Sequence, residues 1–213
     1  MALLYYLRNI LTNRKTASMK KILPLIVMLL FATAAEAQLF KKREKAPVKT
    51  EYLQGAVPVE NNRVVFRHTI AAPGLSAQEI KQRVEEWYNA RYVKPTIISA
   101  KVLKSDNSGT FEAKAEEYIV FKKKLLVLNR ARIYYYLTVN CTDNGCEAII
   151  SRITYWHDDE APDGGIRYNA EEIITDKEAL NGGKLRKHPG RFRTKTIDLK
   201  NGLFEEIEKA INR

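Results

Sequence analysis

Two stretches of this chain alternate apolar and polar residues at a period of two, and that pattern restricts the fold more than any other feature. Between Thr110 and Phe121, Phe111, Ala113 and Ala115 alternate with Glu112, Lys114 and Glu116. From Arg132 to Cys141, Ile133, Tyr135, Leu137 and Val139 alternate with Tyr134, Tyr136, Thr138 and Asn140. Successive side chains of a strand point to opposite faces, so each stretch predicts a strand with one buried face. Glu147 to His157 predicts another long strand, and Thr96 to Lys104 a further one ended by the turn Ser105–Gly109. Consecutive strands joined by short polar turns pair antiparallel.

The flanking segments supply the second layer. Val64 to Ile70 reads as a β-branched strand ended by Pro73-Gly74. Ser76 with Glu79 forms a capping box, and Ile80, Val84, Trp87 and Tyr88 then fall on one helical face before Pro95. Lys122 to Asn129 is a longer connection, and the acidic, Gly-rich stretch Asp158–Tyr168 reads as a loop. Thr175 with Glu178 predicts one capped helical turn to Leu180, broken by Asn181-Gly182-Gly183. A last helix is expected from Ile197 or Asp198 to Ile211, with Leu203, Phe204, Ile207 and Ile211 on one face. Gly202 inside it costs about 1 kcal/mol relative to alanine. The order β-α-β-β-β-β-α predicts a two-layer α+β domain over residues 63–213, an antiparallel sheet of about five strands with two helices on one face. The chain has no internal repeat.

The N-terminus carries an address. Met19-Lys20-Lys21, an apolar run from Ile22 to Phe31, and a small-residue segment with Ala35 and Ala37 follow the order of a secretory signal peptide. Residues 1–37 are therefore expected to be removed, with translation starting at Met19 and the mature chain at Gln38. The apolar run is about ten residues, whereas a membrane span needs roughly 20, so no transmembrane anchor is expected in the mature form. No cysteine at the cleavage point indicates a lipid anchor. Residues 38–62, with Lys41-Lys42-Arg43-Glu44-Lys45, Pro47 and Pro58, read as a basic, flexible lead-in. Removing residues 1–37 lowers the net charge from +11 to +7. A basic protein exported to the periplasm or cell envelope meets an envelope protein or an anionic envelope component, while nucleic acid lies elsewhere.

Cys141 and Cys146 flank Thr142-Asp143-Asn144-Gly145, a tetrad with strong turn chemistry. A hairpin tip there sets the two thiols opposite each other, and an oxidising compartment predicts a disulfide between them.

The element order resembles the TATA-binding-protein-like (TBP-like) fold. The runs Thr175–Asn181, Gly183-Lys184-Leu185, Phe192–Asp198 and Leu203-Phe204 resemble an exported Gram-negative bacterial family of unknown function with that fold. The likeness covers residues 63–213 and the export signal. It implies fold and export, and it carries no catalytic residues to transfer. TATA-binding protein wedges apolar side chains into the DNA minor groove with a duplicated domain; this chain has one copy, and fold alone does not carry function.

Direct chemical motifs are missing: no G-x-S-x-G, Walker, H-E-x-x-H or EF-hand pattern occurs, so no cofactor, metal or catalytic set is expected. His157-Asp158-Asp159-Glu160 gathers an imidazole and three carboxylates at a strand end, but as consecutive residues rather than ligands spaced around an ion. The segment Lys184–Lys195, with Arg186, Lys187, Arg191 and Arg193 around Pro189-Gly190, reads as a cationic loop that clamps phosphate or carboxylate groups. Tyr134, Tyr135 and Tyr136, with Tyr155 and Trp156, place aromatics on both faces of the sheet. One face packs the helices and the other offers an aromatic surface through Tyr134 and Tyr136. These features point to a non-catalytic binding module. The alternatives are a small-ligand carrier with a cavity under the last helix and an enzyme assembled near His157 and Asp158.

Overall fold

In the computed structural model, residues 48–105, 109–124 and 127–213 are described. The expected signal peptide, its cleavage residues Ala35, Ala37 and Gln38, and the Lys41–Lys45 run lie outside the described residues.

The alternating stretches form long antiparallel strands. After a 3-10 turn (Thr50–Tyr52), β1 (Val59–Glu60) and β2 (Arg63–Val64) make a small hairpin, followed by β3 (Phe66–Ala71) and α1 (Ala77–Arg91). Next come β4 (Ile97–Ser105), β5 (Thr110–Lys124), β6 (Val127–Thr142), β7 (Gly145–His157) and β8 (Ile166–Asn169). The chain closes with α2 (Ala170–Ile173), α3 (Asp176–Ala179), β9 (Leu180–Asn181), β10 (Lys184–Leu185) and α4 (Lys187–Ile211). The main sheet runs β3-β7-β6-β5-β4, with β8 also on β7, so it has six strands rather than about five. The extra strand falls partly inside the stretch read as a loop, because its four residues are too short and polar to show a buried face.

One face of the sheet is apolar and packs both long helices. Phe111, Ile133, Tyr135, Leu137, Ile150 and Tyr155 meet Ile80 and Val84 of α1 and Phe192, Leu203 and Ile207 of α4 in one buried cluster. Each large apolar side chain so buried contributes about 1.5–3 kcal/mol. The α1 capping box forms as its sequence predicts: Glu79 N donates to Ser76 Oγ, and Ser76 N donates to the Glu79 carboxylate at 2.8 Å. The box expected at Thr175 does not form, and the Thr175 hydroxyl donates instead to the Glu171 carbonyl at 3.2 Å.

Two expectations are corrected by packing. The last helix begins at Lys187, well before Ile197, and absorbs most of the segment read as a cationic loop. Pro189 falls in its first turn, where an N–H has no helical carbonyl to reach and proline costs nothing. At Gly190 an added Cβ would lie 2.9 Å from Leu185 Cβ, so the glycine lets β10 approach the helix. The lead-in is also structured in part: residues Val48–Arg213 form one compact unit. Val57 is buried, and the Tyr52 hydroxyl donates to Asp198 at 2.6 Å.

Cys141 and Cys146 are direct cross-strand partners at the β6–β7 hairpin, both facing the core. In the structure both are free thiols. Burial pushes Cys141 up to about 12, with Cys146 adding, and burial alone pushes Cys146 up to about 11. A thiol so raised is a poor nucleophile at neutral pH. The register is that of a bridge, and the expected result in material from an oxidising compartment is no alkylation under denaturing conditions without reductant. Two labels per chain would show the thiols to be the resident form.

Candidate functional site: the open face of the sheet

Because both helices cover one face, outward side chains of β4 to β8 line a surface that neither long helix covers. Strand register sets Tyr118, Arg132, Trp156 and Arg167 as successive direct neighbours across β5, β6, β7 and β8. The Arg132 guanidinium lies 4.8 Å from the Trp156 ring centroid and 5.9 Å from that of Tyr118. Arg167 lies 3.9 Å from the same Trp156 ring, and Arg130 lies 3.7 Å from the Tyr118 ring. The next rows hold Glu116-Tyr134-Thr154-Asn169 and Lys101-Lys114-Tyr136-Ser151, with Arg152 4.8 Å from the Tyr136 ring. Rings and guanidiniums thus interleave across the sheet. Burial raises the Tyr134 phenol pKa, and its hydrogen bond to Glu116 adds to the shift.

Acids neutralise part of this surface. Arg132 pairs with Asp159 at 2.5 Å and Glu116 at 3.2 Å, and Arg130 pairs with Glu160 at 2.7 Å. Arg152 and Arg167 form no ion pair among the described residues.

A break in β7 opens a cleft beside the rows. Opposite Tyr135, β7 places two residues instead of one, and Arg152 takes the left-handed conformation at φ 51°. Pairing with β3 ends at Ile150 and pairing with β8 starts at Thr154, so among the described residues no strand pairs with Ser151–Ile153 on that edge. A cleft of about 440 Å³ lies there, lined by Arg63, Ser151, Arg152, Thr154, Asn169 and Glu171. The bulge was written in the sequence. Cys146, Ala148 and Ile150 point inward on even positions, and Ile153, Tyr155 and His157 point inward on odd ones.

The residues singled out from sequence divide sharply. Tyr134 and Tyr136 stand half-buried on the open face, while Tyr135 is buried beneath the helices. Arg186, Lys187, Arg191 and Arg193 do not converge into a clamp. Arg186 and Lys187 are exposed, and Arg186 Nε donates to the Leu180 carbonyl at 3.0 Å. Arg191 is half-buried against Phe121 and donates to Asn129 and His188. Arg193 is wholly buried, a correction that removes it from any partner surface.

His157 faces inward at 5 % exposure, its Nδ1 3.1 Å from Asp158. Asp159 and Glu160 turn away to the arginines named above, so the acidic cluster disperses. Among the described residues, no group of three or more His, Cys, Asp or Glu is placed to hold a metal ion. His157 instead meets His188 edge-on at 5.6 Å, with Arg191 beside both. Burial lowers both imidazole pKa values, Arg191 pushes the same way, and Asp158 opposes. Below pH about 6.5 the unfolded chain therefore takes up protons that the folded chain refuses, and stability falls with pH until the folded pKa values are reached. The double variant H157Q/H188Q is expected to flatten the urea midpoint between pH 7.5 and 5.5 relative to the parent chain. An unchanged slope would refute this role.

An antiparallel sheet with two helices on one face and a cationic, aromatic surface on the other defines a single-copy TBP-like α+β module. A family model described as "Domain of unknown function (DUF4468) with TBP-like fold" matches residues 66–156, from β3 to the end of the Trp156 row on β7. A DUF4468 family protein from Bacteroides ovatus ATCC 8483 is 32% identical, over 78% of this chain and 96% of that one, with a TM-score of 0.72. The chain belongs to the DUF4468 family. A TBP-like protein from Parabacteroides distasonis ATCC 8503 shares the fold at 22% identity and a TM-score of 0.61, over 73% of this chain and 96% of that one. No curated protein matches the chain.

Proposed function

We propose that this protein is an exported, non-catalytic binding module whose open sheet face holds an acidic saccharide chain of the cell envelope. The observation that carries the reading is the row Tyr118-Arg132-Trp156-Arg167. Stacking on rings holds guanidiniums extended before a ligand arrives, so less side-chain freedom is lost on binding. Arg132 is held by Asp159 and Glu116, so Arg167 and Arg152, which form no ion pair among the described residues, are the cations left to meet anions along a chain. The row crosses the strands at right angles, so a ligand lying along it gains no backbone ladder, and this disfavours an added peptide strand. Half-buried Tyr134 and Tyr136 offer hydroxyls and ring edges to sugar.

A small-ligand carrier has less support, because the sheet side of α4 is filled. Phe192, Ile197, Leu203 and Ile207 are each at most 2 % exposed. The test is capture of purified acidic and neutral envelope polysaccharides by the full chain at rising salt. Acidic polymers should bind with salt-sensitive affinity, and R167Q should weaken capture roughly tenfold. Equal capture of neutral polymers, or an unaltered R167Q, would overturn the reading. A single protein recovered by in-cell crosslinking through this face would replace the saccharide by that protein.

A further inference from the structure

The cleft beside the β7 bulge has more donors than a carboxylate can use. Arg63 and Arg152 both line it, and neither forms an ion pair among the described residues. Ser151, Thr154 and Asn169 add two hydroxyls and an amide. One acid, Glu171, also lines it, and one of its oxygens accepts from Val64 N at 2.7 Å. A second, smaller cleft shares Thr154 and Asn169 and is lined by Arg167, which is likewise without an ion pair. Two guanidiniums without ion pairs and one carboxylate therefore line this cleft, which leaves it one net positive charge, and Arg167 lines the cleft next to it.

We infer that this cleft is a subsite for a phosphate monoester carried on a sugar, resting on the saccharide reading of the open face. A carboxylate presents two oxygens with about four acceptor sites, whereas two guanidinium forks, two hydroxyls and an amide present about eight donors. A phosphate monoester brings three terminal oxygens and up to two charges, and planar guanidinium forks bind it two hydrogen bonds at a time. Arg152 holds a left-handed conformation that glycine adopts freely and arginine only at a cost. Glycine there would remove that cost. The stacking of Arg152 on Tyr136 joins the cleft to the aromatic rows, and a phosphate seated here places its sugar toward Tyr136.

Amide NMR spectra of the isotopically labelled full chain, titrated with inorganic phosphate, glucose 1-phosphate and acetate, test the inference. Phosphate should move the Ser151–Thr154 and Asn169 signals saturably, glucose 1-phosphate should do so at lower concentration, and acetate should not. R63Q and R152G should each weaken phosphate binding roughly tenfold or more. R152G should at the same time raise the Tm, which separates lost binding from lost folding. Absence of a saturable response to phosphate, or an unchanged affinity in R152G, overturns the subsite. Equal affinity for inorganic phosphate and glucose 1-phosphate overturns its assignment to a sugar. Failure here with R167Q-sensitive polysaccharide capture intact removes the subsite alone, whereas loss of that capture removes the reading beneath it.

Discussion

Replacing Arg193 with leucine is expected to destabilise the domain by roughly 3–5 kcal/mol, because the change leaves buried polar groups without a partner. Four of the five guanidinium N–H donors are used. Nε donates to the Tyr52 carbonyl at 2.7 Å, and Nη1 to the Ile174 carbonyl at 2.7 Å. Nη2 donates to the Leu53 carbonyl at 2.5 Å and to the Asp176 carboxylate at 2.6 Å. The other oxygen of Asp176 accepts from Gly55 N at 2.8 Å, so one ion pair ties residues 52–55 to the N-terminus of α3 and the second turn of α4. Lysine restores a charge without the fork, and R193K should recover less than half of the loss. Urea unfolding of the two variants measures both effects. A loss below about 1 kcal/mol in R193L would mean that water replaces the guanidinium freely, and the hub would not be structural. With total stabilities near 5–15 kcal/mol, the expected loss brings the chain close to unfolding at ambient temperature.

The same residue shows what a sequence conceals. Arg193 sits in a run of cations with Pro189 and Gly190 inside it, and locally that composition describes a solvated loop. Its partners at Tyr52 and Leu53 lie 141 and 140 residues away and carry no pattern that points to it. The strands were legible because alternation is local: inward Phe111, Ala113 and Ala115 and inward Ile133 to Val139 are all buried. That alternation also held two signals that composition obscured. Arg152 stands at an inward phase and marks a bulge, since a charge there turns out only if the strand slips by one. Glu117 stands at an inward phase and marks a buried pair. The open face was legible as to which tyrosines face out, but not as to its arginines, which come from β6, β7 and β8 and meet the rings only through pairing register. The resemblance rested on the run from Thr175 to Phe204, whereas the family model matches residues 66–156; both lead to the same fold.

Glu117 supplies the second large effect, and E117L is expected to cost roughly 3–5 kcal/mol. The carboxylate lies under α1 at 7 % exposure, where an unpaired charge is intolerable. The Tyr135 hydroxyl donates to Oε1 at 2.6 Å, the Tyr92 hydroxyl lies 2.6 Å from that of Tyr135, and Arg91 reaches Oε2 at 3.3 Å. Burial drives the Tyr135 pKa well upward, with Tyr92 and Glu117 adding, so the phenol stays a donor throughout the physiological range. Arg91 also lies 4.7 Å from the Tyr92 ring and 3.2 Å from Glu206, whose carboxylate accepts from Trp87. The network therefore joins the end of α1 to β5, β6 and α4. Deleting the acid strands the guanidinium, 10 % exposed, from its buried partner and leaves it only the half-exposed Glu206 on Nε, and that weakly compensated charge dominates the cost. The double variant R91L/E117L removes the stranded charge, and it should be more stable than E117L alone despite carrying one more substitution. Additive losses in that double-mutant cycle would show that the two side chains do not depend on each other. Recovery would show that the pair costs the domain little while intact and much when broken, so that it fixes how α1 sits on the sheet rather than adding net stability.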